Sequence, residues 1–91
     1  MQRLSVRFEG RVQGVGFRAT VDDLARPFKV TGRVRNVADG SVDLQADGEE
    51  GELLRFLQAI QQRMERNIVN SHVRWSEVAQ AEWSDFRIAI D

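Results

Sequence analysis

The chain contains no cysteine, which excludes disulfides, zinc–thiolate centres, iron–sulfur clusters and thiol nucleophiles. Histidine occurs once, at His72, so a multi-histidine metal site is excluded and a Ser–His–Asp triad has one candidate base. Proline also occurs once, at Pro27. No apolar run approaches the ~20 residues that cross a bilayer. The first residues, MQRLSVRFEG, lack the apolar stretch of a secretory leader. The reading is a cytoplasmic protein with no membrane partner. An excess of positive charge is missing too: 13 Lys and Arg stand against 14 Asp and Glu, for a net charge of −1. That argues against a protein held to nucleic acid by bulk charge. With 91 residues, the length suits a single domain, 1–91.

What is present is strongly periodic. Leu4, Val6 and Phe8 alternate with Arg3, Ser5 and Arg7, as in a half-buried strand. From Phe17 the period changes: Val21, Leu24, Ala25 and Phe28 follow at helical steps, and Pro27 should end that helix near Ala25 or Arg26. Val30 to Ala38 reads as a second strand. Asp39-Gly40 reads as a two-residue type I′ hairpin turn, and Ser41 to Asp47 as the returning strand. Asp47 and Glu50 have capping-box spacing ahead of a helix whose stripe is Leu53, Phe56, Leu57, Ile60 and Met64. Asn67 is placed as its left-handed C-terminal residue. Val69 to Val78 is a fourth strand, and Phe86, Ile88 and Ile90 mark a short fifth. The order β-α-β-β-α-β is the split-βαβ, ferredoxin-like α+β plan: an antiparallel sheet with two helices on one face.

Chemistry concentrates in GRVQGVGFRAT, residues 10–20, which joins the first strand to the first helix. Glycines let successive backbone N–H groups turn toward one point. The first N–H groups of a helix lack internal partners, and its dipole adds positive potential. Together they make an anion site, most often for phosphate. Taken alone, the pattern is also that of a ligand-free connection. It is neither a Walker A loop nor a dinucleotide fingerprint. Arg18 adds weight to the anion reading, because a cation at a helix start opposes the dipole. Its structural alternative, an i,i+4 pair with Asp22, is worth only ~0.3 kcal/mol. A guanidinium beside inward N–H groups suits bidentate phosphate binding. Phe17 reads as a core anchor for the loop. Asn36 is unusual in a strand interior. A half-buried amide needs partners, either a neighbouring loop or a water or substrate oxygen.

At these two segments the sequence resembles the acylphosphatase family. GRVQGVGFR (10–18) matches the family's first signature and GRVRNVADGSV (32–42) its second, G-x-V-x-N-x-x-D-G-x-V, at the family's spacing. The resemblance implies a ferredoxin-like fold, no cofactor, and metal-free hydrolysis of carboxyl-phosphate anhydrides. It implies phosphate held by loop N–H groups of Gln13, Gly14, Val15, Gly16, Phe17 and Arg18 together with the Arg18 side chain. Asn36 would orient the attacking water. The implied partners are a small-molecule acyl phosphate and, as product-like ligands, phosphate or sulfate; the implied state is a monomer. The alternatives are a catalytically idle domain of this family that binds an anion or partner, a non-enzymatic ferredoxin-like module that binds RNA or a protein, and a carbamoyl-phosphate-processing domain of the kind found at the start of hydrogenase-maturation proteins. The RNA reading wants aromatic residues on the central strands, which carry only Phe8. His72 reads as a sheet-surface residue and Trp75 and Trp83 as packing residues. Asp43, Asp47, Glu49, Glu50 and Glu52 read as a turn, a cap and a solvated helix start.

Overall fold

A computed structural model describes residues 1–90. Seven elements follow in order: β1 (Gln2–Gly10), α1 (Phe17–Ala25), β2 (Val30–Asn36), β3 (Val42–Gly48), α2 (Glu50–Arg63), β4 (Ile68–Glu77) and β5 (Phe86–Ile88). They form one sheet in the order β4-β1-β3-β2-β5. The four strands of the split-βαβ plan are antiparallel to their neighbours, with Leu4 opposite Ala46, Val6 opposite both Leu44 and Val73, and Val34 opposite Leu44. β5 runs parallel to β2, so the sheet is mixed where an antiparallel one was expected. Ile90 lies beyond β5 and is 92% exposed.

Period-two alternation drives Leu4, Val6, Phe8, Val34, Val42, Leu44 and Ala46 onto the helix side of the sheet, where all are buried. α1 presents Phe17, Val21 and Ala25 to that surface, and α2 presents Leu53, Phe56, Leu57 and Ile60. Met64 closes the stripe. Phe56 ties the helices to the sheet's far edge, edge-on to Phe86 at 5.4 Å and tilted against Phe28 at 5.9 Å. α1 ends before Pro27, as expected, with Arg26 N–H and Phe28 N–H turning back to the carbonyls of Asp23 and Ala25.

Three local expectations fail. The β2–β3 turn is not type I′: Gly40 has φ 96°, but among the described residues none other than glycine has positive φ, so Asp39 does not. Gly40 N–H bonds the Val37 carbonyl at 3.0 Å, so Ala38 and Asp39 are the central residues of a turn that Gly40 then closes. Asp39 Oδ1 holds it by accepting from Ser41 N–H (2.9 Å) and Ser41 Oγ (2.6 Å). Asp47 does not cap α2. Glu49 is the N-cap, without a side-chain bond, and Asp47 sits in β3 with its carboxylate bound to Arg3. Asn67 is not left-handed either; its N–H bonds the Met64 carbonyl.

The other face of the sheet carries no helix. There the 79–85 connection is strapped down by Arg3 and Arg33. Their guanidinium carbons lie 5.3 and 5.9 Å from the Trp83 ring centroid. Glu82 N–H donates to Asp47 Oδ2 (3.0 Å), and Arg33 Nη1 donates to the Asp85 carbonyl and carboxylate.

Candidate active site

The loop between β1 and α1 is pinned at both ends and open in the middle. Val12 and Phe17 are buried, and the Phe17 ring packs on Phe8 with centroids 5.2 Å apart. Between them Gly14 (φ 75°) and Gly16 (φ 77°) take left-handed conformations that a side chain would strain. A Cβ at either would meet nothing within 4 Å, so the glycines serve backbone shape at an open surface. Gly16 is the N-cap of α1 and has no side chain to cap with, and its carbonyl accepts the Thr20 N–H (3.0 Å) that starts the helix. Among the described residues, no internal acceptor takes the N–H groups of residues 13–18. They are free to converge on an anion.

Arg18 lies on the first turn of α1, which carries no acidic residue. The i,i+4 pair with Asp22 does not form: Asp22 is engaged by Arg26 instead. Among the described residues Arg18 has no carboxylate partner, so its positive charge adds to that of the helix start.

Gln13 has a role that the sequence reading missed. Its side-chain Nε2 donates to the carbonyls of Val37 (2.7 Å) and Ser41 (2.8 Å), stitching the loop to the β2–β3 hairpin. Nothing in the loop's own composition signals it, since Arg11 and Arg18 carry more side-chain donors than Gln13 does. A second clamp holds the loop's start: Arg11 N–H bonds the Asn67 carbonyl (2.9 Å) and Asn67 Nδ2 bonds the Arg11 carbonyl (3.1 Å). Gln13→Ala should leave the protein folded and lower kcat/KM by up to ~10²-fold through misplacement of the loop. Gln13→Glu should do the same, because an ionised carboxylate cannot donate to two carbonyls. Steady-state rates of both variants check this.

Asn36 is the last residue of β2, paired with Val42 and on the same face as buried Val34. Its Oδ1 is fully enclosed and has no hydrogen-bond partner among the described residues. Leaving such an acceptor unsatisfied costs about 1–3 kcal/mol, which a water or a ligand would offset. The hairpin stitched by Gln13 begins directly after Asn36, so the unsatisfied acceptor and the free N–H groups belong to one end of the molecule. His72 and Trp75 are not brought there. His72 lies on the helix-free face with Nε2 at 2.8 Å from Glu9, and Trp75 sits on the edge strand.

The family model of acylphosphatase matches residues 4–88, spanning both signature segments. The chain belongs to the acylphosphatase family. It is 41% identical over 91 residues to the acylphosphatase of Methanospirillum hungatei, covering all of both chains. It is 42% identical over 88 residues to that of Salinibacter ruber, covering 96% of this chain and 92% of that one. The crystal structure of acylphosphatase from Bacillus subtilis superposes with a TM-score of 0.86 at 30% identity, covering 99% of this chain and all of the other. Acylphosphatases hydrolyse acyl phosphates, and among the described residues no helix is long and apolar enough to cross a membrane.

Proposed function

We propose that this acylphosphatase cleaves the carboxyl-phosphate bond of small acyl phosphates with Arg18 and the N–H groups of residues 13–18 holding the phosphoryl group, and Asn36 orienting the attacking water. The observation that carries the reading is the pairing of unengaged loop N–H groups with an unsatisfied buried amide oxygen, joined by Gln13. The leaving group is a carboxylate, whose conjugate acid has a pKa of about 4. It departs without protonation, and no general acid is required. Phosphoryl transfer is chiefly positioning and charge stabilisation. The N–H groups and Arg18 supply the charge term. The Asn36 amide orients the water so that its oxygen faces phosphorus. The water's proton passes to a phosphate oxygen of the substrate, and inorganic phosphate leaves.

The test is hydrolysis of benzoyl phosphate with EDTA present. Turnover should persist, and Asn36→Ala should lower kcat by about 10²-fold with a smaller change in KM, since water orientation matters in the transition state more than in substrate binding. A folded wild type without turnover would instead make 10–18 an anion-binding loop of an idle family member. Titration with inorganic phosphate would then read that binding.

A further inference from the structure

β4 is a ten-residue strand at the edge of the sheet, and eight of its residues are exposed. Among the described residues β1 is its one strand neighbour, whereas the opposite edge of the sheet is the three-residue β5. The bond from Val78 N–H to the Met1 carbonyl (2.9 Å) sets the alternation along the β1–β4 pair. Even-numbered residues turn their backbone groups toward β1. Ser71, Val73, Trp75 and Glu77 therefore turn their N–H and C=O groups outward. A register shift at Glu9/Gly10 confines the regular stretch to Asn70–Glu77. A long edge of this kind, free of proline, is a template for another strand.

The two sides of that edge differ in chemistry. Toward the helices, Val73 and Trp75 lie beside Val6 and Leu4 and remain 38% and 39% exposed. On the opposite side stand His72 and Arg74, with Arg7 directly behind His72 on β1. Arg74 has no carboxylate partner among the described residues, while Glu9 serves both Arg7 (3.9 Å) and His72 (2.8 Å). A second copy of the strand meets like charge in one register: antiparallel pairing centred on Arg74 sets two arginines face to face, which is destabilising.

We infer that the β4 edge binds an extended peptide in which acidic and apolar residues alternate. The peptide adds a strand to the sheet by bonding to the outward groups of Ser71, Val73, Trp75 and Glu77. Its apolar side chains cover Val73 and Trp75, and its carboxylates face Arg74 and His72. This surface lies outside the catalytic machinery, and the inference does not depend on the assignments of Arg18 or Asn36.

Calorimetric titration with a synthetic alternating Glu–Val peptide, beside an alternating Lys–Val peptide, tests it. Saturable binding is expected for the first only. Bound peptide should slow amide hydrogen exchange at Ser71, Val73 and Trp75, with no comparable change at residues 13–18. Val73→Pro removes an outward N–H that has no internal partner, and should abolish binding while benzoyl phosphate turnover stays unchanged. Arg74→Glu should weaken the Glu–Val peptide by about tenfold and permit the Lys–Val peptide. Three results would overturn the inference: no binding of the Glu–Val peptide, equal binding of both peptides, or binding that survives in a folded Val73→Pro. Saturation of the edge by self-association in sedimentation equilibrium would assign it to a second copy instead.

Discussion

Arg18→Gln should lower kcat/KM for benzoyl phosphate by ~10³-fold. Its stability, in contrast, should stay the same or rise by about 0.3–1 kcal/mol. The two effects have one origin. Arg18 stands on the first turn of α1, where the helix already presents unpaired N–H groups, and no acidic residue of that turn offsets it. The folded protein without ligand holds like charge against like. A phosphoryl group whose charge is spread over three oxygens turns that repulsion into attraction, most strongly in the transition state. Arg18→Lys keeps the charge and loses the planar fork, so partial recovery is expected. Rates with Arg18→Gln, thermal unfolding of the same variant, and calorimetric binding of inorganic phosphate make the test. A folded Arg18→Gln within about tenfold of the wild-type rate would remove the side chain from the chemistry, since one lost transition-state donor costs at least ~10²-fold.

The contrast between Arg18 and Gln13 shows where the sequence was informative. Arg18 could be singled out because its position violates a local rule, and the structure leaves it without the local partner Asp22 that would have made it ordinary. Asn36 was legible for the same reason, as an amide in a strand interior. Gln13 broke no local rule. Its acceptors are the carbonyls of Val37 and Ser41, 24 and 28 residues away, and nothing in the loop's own composition points to them. The elements followed the same division. Strands β1, β2 and β3 and both helices were readable because each buries one face at its own period, whereas β4 buries none of its residues. β5 was readable as a strand from Phe86 and Ile88, but not its direction: a three-residue strand carries no signal for the neighbour it joins, and β2 receives it in parallel. The turn at 37–40 misled because Asp-Gly suits more than one hairpin geometry. Here the Asp39 side chain, held by Ser41, selects the longer one.

Asp47 is the instructive failure, and its replacement has the largest expected effect on stability. Spacing to Glu50 made it a helix cap, a role worth about 1 kcal/mol. The structure gives it a different partner 44 residues away. Arg3 donates through Nε to Oδ1 at 2.7 Å and through Nη2 to Oδ2 at 3.1 Å, and Glu82 N–H adds a third bond at 3.0 Å. The residue is 2% exposed. Asp47→Ala should therefore cost about 3 kcal/mol, because it leaves Arg3 only its longer pair with Glu82 (3.4 Å) and strands an amide donor, where a cap would lose one helix N–H. In a chain of this length that lowers Tm by roughly 12–24 °C. Asp47→Asn should be little better: it keeps an acceptor for Glu82 but turns donors or a neutral oxygen toward Arg3. Burial pushes the Asp47 carboxyl up, but the bonds from Arg3 and Glu82 and the charge of Arg3 outweigh burial and hold it below the usual aspartate value. A depressed carboxyl contributes stability above its unfolded pKa of about 3.9, and that contribution fades as pH falls through the folded value. Wild-type Tm should thus decline below about pH 4, and part of that decline should vanish in Asp47→Ala. A cap would behave differently. Its loss would leave Arg3→Met and Asp47→Ala additive, whereas the bidentate pair requires the second change to cost far less once the first is made. Equal and additive losses in that double-mutant cycle would return Asp47 to the role that its spacing suggested.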